Sequence, residues 1–136
     1  MKGASELVLL GFVGWTLILL ILMEGLRTRL VMNKSVPANG FTPDNSNLSP
    51  FMQRLARAHA NCLESLPIVG VLLLAAMVTG KTAITDPLAP WLLVARLVQS
   101  VIHLASLSEM AVSARFGAFL VQIVIAAWWT VVLLLR

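Results

Sequence analysis

The sequence has little of what a soluble catalyst usually relies on. Only 12% of its 136 residues are charged, against about 25% in an ordinary soluble domain. It contains one cysteine, two histidines, six acidic residues and no tyrosine. The lone Cys62 excludes an internal disulfide and any cysteine-built metal cluster. His59 and His103 have no carboxylate at ligand spacing, which argues against a metal site. Neither GxSxG, nor a P-loop, nor GxGxxG occurs, so serine-hydrolase and nucleotide chemistry find no support. Internal repeats, low-complexity tracts and the interrupted half-helices that mark many transporters are also missing.

What the chain does have is apolar length. Hydrophobic residues make up 59% of it, and the mean hydropathy is +0.90. Runs of about 20 apolar residues are long enough to cross a bilayer core of about 30 Å. The expected architecture is therefore all-α, a single integral-membrane domain over 1–136 with spans at 6–24, 62–79, 88–107 and 116–135. The first run could be taken for a signal peptide, but it is too long and lacks a small-residue cleavage pattern. It ends in Glu24-Gly25-Leu26-Arg27.

A polar loop at about 32–49, rich in Asn, Ser, Pro and Gly, follows the first span. Ser49-Pro50 has the form of an N-cap with proline at the first helical position. Pro67 is expected to kink the helix that begins there. Thr79-Gly80-Lys81 ends that helix, Asp86-Pro87 opens the third span, and Ser108–Arg115 reads as a short link to the fourth.

A net charge of +4 and a pI of 10.3 could suggest nucleic acid. The basic residues are instead scattered at span ends, with no clustered patch and no aromatic platform between them. They report topology more simply. Arg27, Arg29, Lys34, Arg54, Arg57 and Arg115 lie on the side of the long loop, against Lys2, Lys81 and Arg136 on the other. Six against three places the long loop in the cytoplasm and both termini outside.

Two polar stripes stand out. Arg54, Arg57, Asn61 and Glu64 fall at i, i+3, i+7 and i+10 on the second helix, and Arg96, Gln99 and His103 at i, i+3 and i+7 on the third. An arginine at membrane depth costs about 2.5–3.5 kcal/mol on insertion scales and needs a partner. Glu64 is the first candidate and Glu24 the second. The stripes could serve only as interhelical glue. Yet three arginines, Asn, Gln and His around one or two carboxylates leave positive charge over, and that suits an anionic ligand. His59 lies off the stripe and reads as a helix-end hydrogen-bonding group, Cys62 as a buried filler, and Trp128-Trp129 as an interfacial or packing pair.

The segment RLARAHANCLESLPI resembles the second-helix signature of the MAPEG family, the membrane-associated proteins of eicosanoid and glutathione metabolism. Arg54, Arg57, Ala58, His59, Asn61 and Glu64 carry the match. Arg27-Thr28-Arg29, the segment ARLVQSVIHLAS and Ala114-Arg115-Phe116-Gly117 are similar to the family's first-helix end, third helix and fourth-helix start. The resemblance implies a four-helix bundle assembled as a homotrimer, with glutathione bound as co-substrate near the cytoplasmic side and no metal. It implies that Arg57, Asn61 and Glu64 bind the tripeptide with Arg27, Gln99 and His103, with Arg54 as a further candidate. Arg115 would be the catalytic arginine that stabilises the glutathione thiolate, and Arg96 a structural or alternative activating charge. The lipophilic partner would be a small electrophile or a lipid hydroperoxide that enters from the membrane lipid.

Several positions depart from the family pattern. His103 stands roughly where family enzymes carry a tyrosine, Ala60 where some have another arginine, and Phe116 where prostaglandin E synthase has serine. The last disfavours that isomerase activity. The expected function is a glutathione-dependent transferase or peroxidase. The alternatives are a non-catalytic lipid-binding protein of the same fold and a small multidrug exporter. Compact loops suggest a bacterial member, and hence the inner membrane.

Overall fold

The computed structural model describes residues 2–136. It is all helical: α1 (Ala4–Met32), α2 (Pro50–Val78), a single turn α3 (Thr82–Thr85), α4 (Ala89–Ala105) and α5 (Glu109–Leu135). At about 1.5 Å per residue, α1, α2 and α5 exceed the bilayer core, and all three are long and apolar enough to cross a membrane. The fourth apolar helix, α4, has 17 residues.

Local chemistry sets the helix ends. The Ser49 side chain accepts from the Met52 N–H, and Pro50 occupies the first turn, where it gives up no intrahelical bond. The helix then continues through Pro67 to Val78. Two helices end in the same hydrogen-bonded loop. After α1, Ser35 N–H donates to Leu30 O and Lys34 N–H to Val31 O; after α2, Lys81 N–H donates to Ala76 O and Gly80 N–H to Met77 O. This closure requires a left-handed residue. Gly80 supplies it at φ +70° after α2, whereas Lys34 is forced into it at φ 64° after α1. At the opposite end Asp86 caps α1: its Oδ1 accepts from Ser5 N–H (2.9 Å) and Ser5 Oγ (2.6 Å).

Polar loop composition extended into helix at two places. α1 continues past Glu24 to Met32, so Arg27 and Arg29 are helical residues. The stretch expected to link the last two spans is mostly helix as well. Ser108 caps α5 by accepting from Ala111 N–H (3.1 Å), and Arg115 lies within the second turn of that helix.

The packing pairs α4 with α5 and α1 with α2, and both α1 and α2 pack on α4 to join the two halves. Gly11 permits a close approach between α1 and α4, since an added Cβ would lie 2.9 Å from Leu93 Cδ2. Phe12, Leu19, Leu55, Leu73, Leu92 and Trp129 fill the core. Large apolar side chains also cover the outside, with Ile21, Ile68, Val71, Val124 and Leu134 all more than two-fifths exposed. Buried polar side chains and exposed aliphatic ones define a bundle whose solvent is lipid. Of the tryptophan pair, Trp129 packs inside and Trp128 faces out.

Candidate functional site

The largest fully buried polar side chain is that of Arg96 on α4. The carboxylate expected to pair with it does not. Glu64 is exposed on α2, and Glu24 pairs instead with Arg27 at 3.0 Å. Arg96 Nη1 donates to Asn61 Oδ1 (2.6 Å) and Nη2 to Ser65 Oγ (2.7 Å). Its guanidinium lies over Phe12 at 5.3 Å and Phe119 at 6.0 Å. Neutral acceptors and ring faces make physical sense, because a buried ion pair requires two charges to be desolvated rather than one.

From Arg96 the hydrogen bonds run on as a relay. Gln99 Nε2 also donates to Asn61 Oδ1 (3.0 Å), and Gln122 Nε2 donates to Gln99 Oε1 (2.8 Å) and to Ala118 O (3.1 Å). Three helices thus meet through Asn61, Gln99 and Gln122. Cys62 is completely buried beside them, its Sγ 3.6 Å from Ser100 Oγ and 3.9 Å from Arg96 Nη1, which is the filler role expected of it.

The second cluster lies toward the end of the bundle that carries the long loop. His103 is buried near the end of α4, and the positive charges of Arg57 and Arg115 both reach it. Arg57 is exposed. Arg115 is half-buried, and its Nη1 is buried with no hydrogen-bond partner. Among the described residues no acidic side chain pairs with either arginine; Arg27–Glu24 is the one ion pair there.

Two other candidate arginines are already engaged within the chain. Arg27 donates to Asn45 Oδ1 through Nε (3.0 Å) and Nη2 (2.6 Å), and Nη2 also reaches Thr42 O (3.2 Å). Asn45 in turn donates to Met52 O (2.8 Å), so Arg27 fastens the long loop to the start of α2. Arg54 Nε donates to Leu104 O (2.9 Å), which ties α2 to the end of α4. His59 makes no helix-end bond through its Nε2, which is buried without a partner. No sequence pattern singles out Asn45 or Gln122. The detectable signal for Gln122 was a lone glutamine in the apolar run FLVQIVIAA.

Between α2 and α5 a mostly apolar groove of about 270 Å³ opens on the outer surface, lined by Ile68, Phe119 and Ile123, with Ser65, Gln122 and Thr130 as its polar contributors. It therefore borders the far end of the relay.

These features define a class: an integral-membrane helical bundle with a buried polar relay, a cationic end and a lateral apolar groove. The sequence profile of the MAPEG family matches residues 5–135, and the chain belongs to that family. No individual curated protein and no solved structure matches the chain.

Proposed function

We propose that this chain is a membrane-embedded glutathione-dependent transferase or peroxidase acting on lipophilic substrates. The observation that carries the reading is Arg115. Its Nη1 is buried without a hydrogen-bond partner, its charge and that of Arg57 both bear on His103, and no acidic side chain pairs with either arginine. Such a site favours an anion.

A thiol of free pKa about 8.5 is largely protonated at neutral pH. A guanidinium beside the sulfur favours the thiolate and shifts that balance. The proton goes to water. The thiolate then attacks an electrophilic carbon, forming C–S as the leaving group departs with the bonding pair. With a hydroperoxide it attacks the terminal oxygen; the O–O bond breaks to give a sulfenic acid and an alkoxide, which takes a proton from water to become the alcohol. A second glutathione converts that acid to the disulfide and water.

The other residues divide by availability. Arg57 and Glu64 are exposed and free to meet a tripeptide's carboxylates and amine. Because Asn61 Oδ1 is taken by Arg96 and Gln99, Asn61 offers a ligand its amide N–H groups. Arg27, Arg54 and Gln99 would have to rearrange to contribute from the same chain, so their proposed role is to hold the site's walls. The proposal extends to a homotrimer, with the cationic end in the cytoplasm and both termini outside.

The test is ultraviolet absorbance at the thiolate band after glutathione is added to purified protein, with Arg115→Ala alongside. A band at neutral pH that disappears in the variant is the expected result. Binding of glutathione without any thiolate band in the unmodified protein would overturn the catalytic reading and leave a binding protein.

A further inference from the structure

Where α1 ends and α2 begins, a second pocket of about 420 Å³ opens between them. Leu26, Leu30 and Met52 contribute apolar wall, and Arg29, Asn33 and Ser49 are its polar side chains. No acidic side chain lines it. Arg29 is exposed, and no carboxylate pairs with it, since Arg27–Glu24 is the one ion pair among the described residues. The other two polar groups have acceptors already in use. Asn33 Oδ1 accepts from Ser35 N–H (3.0 Å), which leaves its amide N–H groups to donate. Ser49 Oγ accepts from Met52 N–H (3.3 Å), which leaves its hydroxyl proton to donate. The carbonyls at the end of α1 are engaged as well: Arg29 O by Asn33 N–H, Leu30 O by Ser35 and Val36 N–H, and Val31 O by Lys34 N–H. A positive charge and neutral donors with no opposing carboxylate suit an anion that offers several acceptor oxygens.

The position along α1 says where that anion comes from. At about 1.5 Å per residue, Arg29 lies roughly 37 Å from Ala4, past a bilayer core of about 30 Å and level with lipid headgroups. On the core side, Leu22 and Ile18 precede Leu26 by about one and two turns on the same helix face, and both are exposed. An apolar stripe thus runs from membrane depth up to the donor-lined pocket. A soluble anion gains nothing from such a stripe, whereas an amphiphile with a phosphate head does. A zwitterionic head fits less well, because its ammonium finds no carboxylate among the lining groups.

We propose that this pocket seats the phosphate head of an anionic membrane lipid, of the phosphatidylglycerol class, with an acyl chain along Leu22 and Ile18. Arg29 supplies the charge, and Asn33 and Ser49 donate to further phosphate oxygens. Arg57, Glu64 and Arg115 do not line the pocket, so it stands apart from the proposed thiol site. A bound lipid joins the end of α1 to the start of α2, beside the loop that Arg27 and Asn45 already fasten.

The experiment is equilibrium binding to the delipidated full chain in detergent, read by native mass spectrometry. Its three probes are dioleoyl phosphatidylglycerol, dioleoyl phosphatidylcholine and inorganic phosphate. Two variants accompany it. Arg29→Gln removes the pocket's charge, and Lys34→Gln removes a charge from the same end of the bundle but outside the pocket. Both positions are exposed, so neither change disturbs the core. The unmodified protein should bind phosphatidylglycerol about tenfold more tightly than phosphatidylcholine. That preference should vanish in Arg29→Gln and persist within about twofold in Lys34→Gln, because diffuse surface charge would weaken both variants alike. Equal affinity for the two lipids, equal losses in the two variants, or phosphate binding as tight as that of the lipid would overturn the proposal.

Discussion

Asn45 is the residue whose replacement should say most about how the long loop is held. It is fully buried, sits at φ 56°, accepts twice from Arg27 and donates to Met52 O. In Asn45→Gly the left-handed backbone costs nothing, so only hydrogen bonds are lost. A bond to a charged donor contributes about 1.5–3 kcal/mol and a neutral one about 1 kcal/mol. Both Arg27 bonds fall on the single Asn45 Oδ1 and count as one charged contact, and Arg27 is partly exposed and keeps its bonds to Thr42 O and Glu24, so the sum lies at the lower end, about 2–3 kcal/mol. Asn45→Ala loses the same bonds and adds a left-handed penalty of about 1 kcal/mol. Hydrogen exchange of the segment spanning 36–52 reads this directly, since local opening is measured in the same units. Protection should fall by about 100-fold in the glycine variant and several-fold further in the alanine variant. Arg27→Ala combined with Asn45→Gly should cost little more than the worse single change, because both break one contact. Equal protection in the glycine and alanine variants, or strict additivity in the double variant, would refute the reasoning.

Other outcomes follow from the same geometry. Lys34→Gly should stabilise the protein by about 0.5–1 kcal/mol in thermal unfolding, because the left-handed turn after α1 would then match the one Gly80 makes after α2. Ser49→Ala should cost about 1 kcal/mol by removing the cap on α2. In calorimetry, Arg57→Ala and Glu64→Ala should abolish thiol binding while Cys62→Ala leaves it intact; loss in the cysteine variant would contradict the filler role. The side-chain hydroxyl of Thr42, followed by the Ser46 N–H, holds the Asp44 carboxyl below its usual value of 3.8. The ionised carboxylate thus supports the loop above that value. Its contribution is lost as pH falls through the lower folded value, and Asp44→Asn should flatten this acid limb of loop protection.

How much could be read from the sequence depended on the range of the interaction involved. Ser49-Pro50 and Thr79-Gly80-Lys81 were legible because capping is decided within four residues. The start of α5 was not. The polar run SEMAVSAR looks like a link, yet it is the exposed first two turns of a helix capped by Ser108. The buried arginine was correctly expected to need a partner, but charge alone pointed to Glu64. The register between α2 and α4 gives Arg96 to Asn61 and Ser65, and no periodicity within one helix contains that register. The resemblance assigns Arg27 to glutathione, but its bond to Asn45, 18 positions away in a loop without pattern, was not legible in the sequence. Membership of the family was legible from one helix because its motif is dense and local.

The relay from Arg96 to Gln122 also has a consequence for what the family position can tolerate. Exchanging an amide for a carboxylate replaces a donor with an acceptor at almost no change in shape, so its effect depends on where along the chain of bonds it falls. Asn61→Asp stands next to Arg96, where the relay requires only acceptance, and should be accommodated in the fold with a gain in pairing, at the loss of the N–H groups proposed to meet the ligand. Gln99→Glu opposes the oxygen of Asn61, and Gln122→Glu opposes both Gln99 Oε1 and the Ala118 carbonyl. The same chemical swap should thus pass from benign to damaging within three residues. Tolerance at these positions has a direction, and the buried guanidinium sets it.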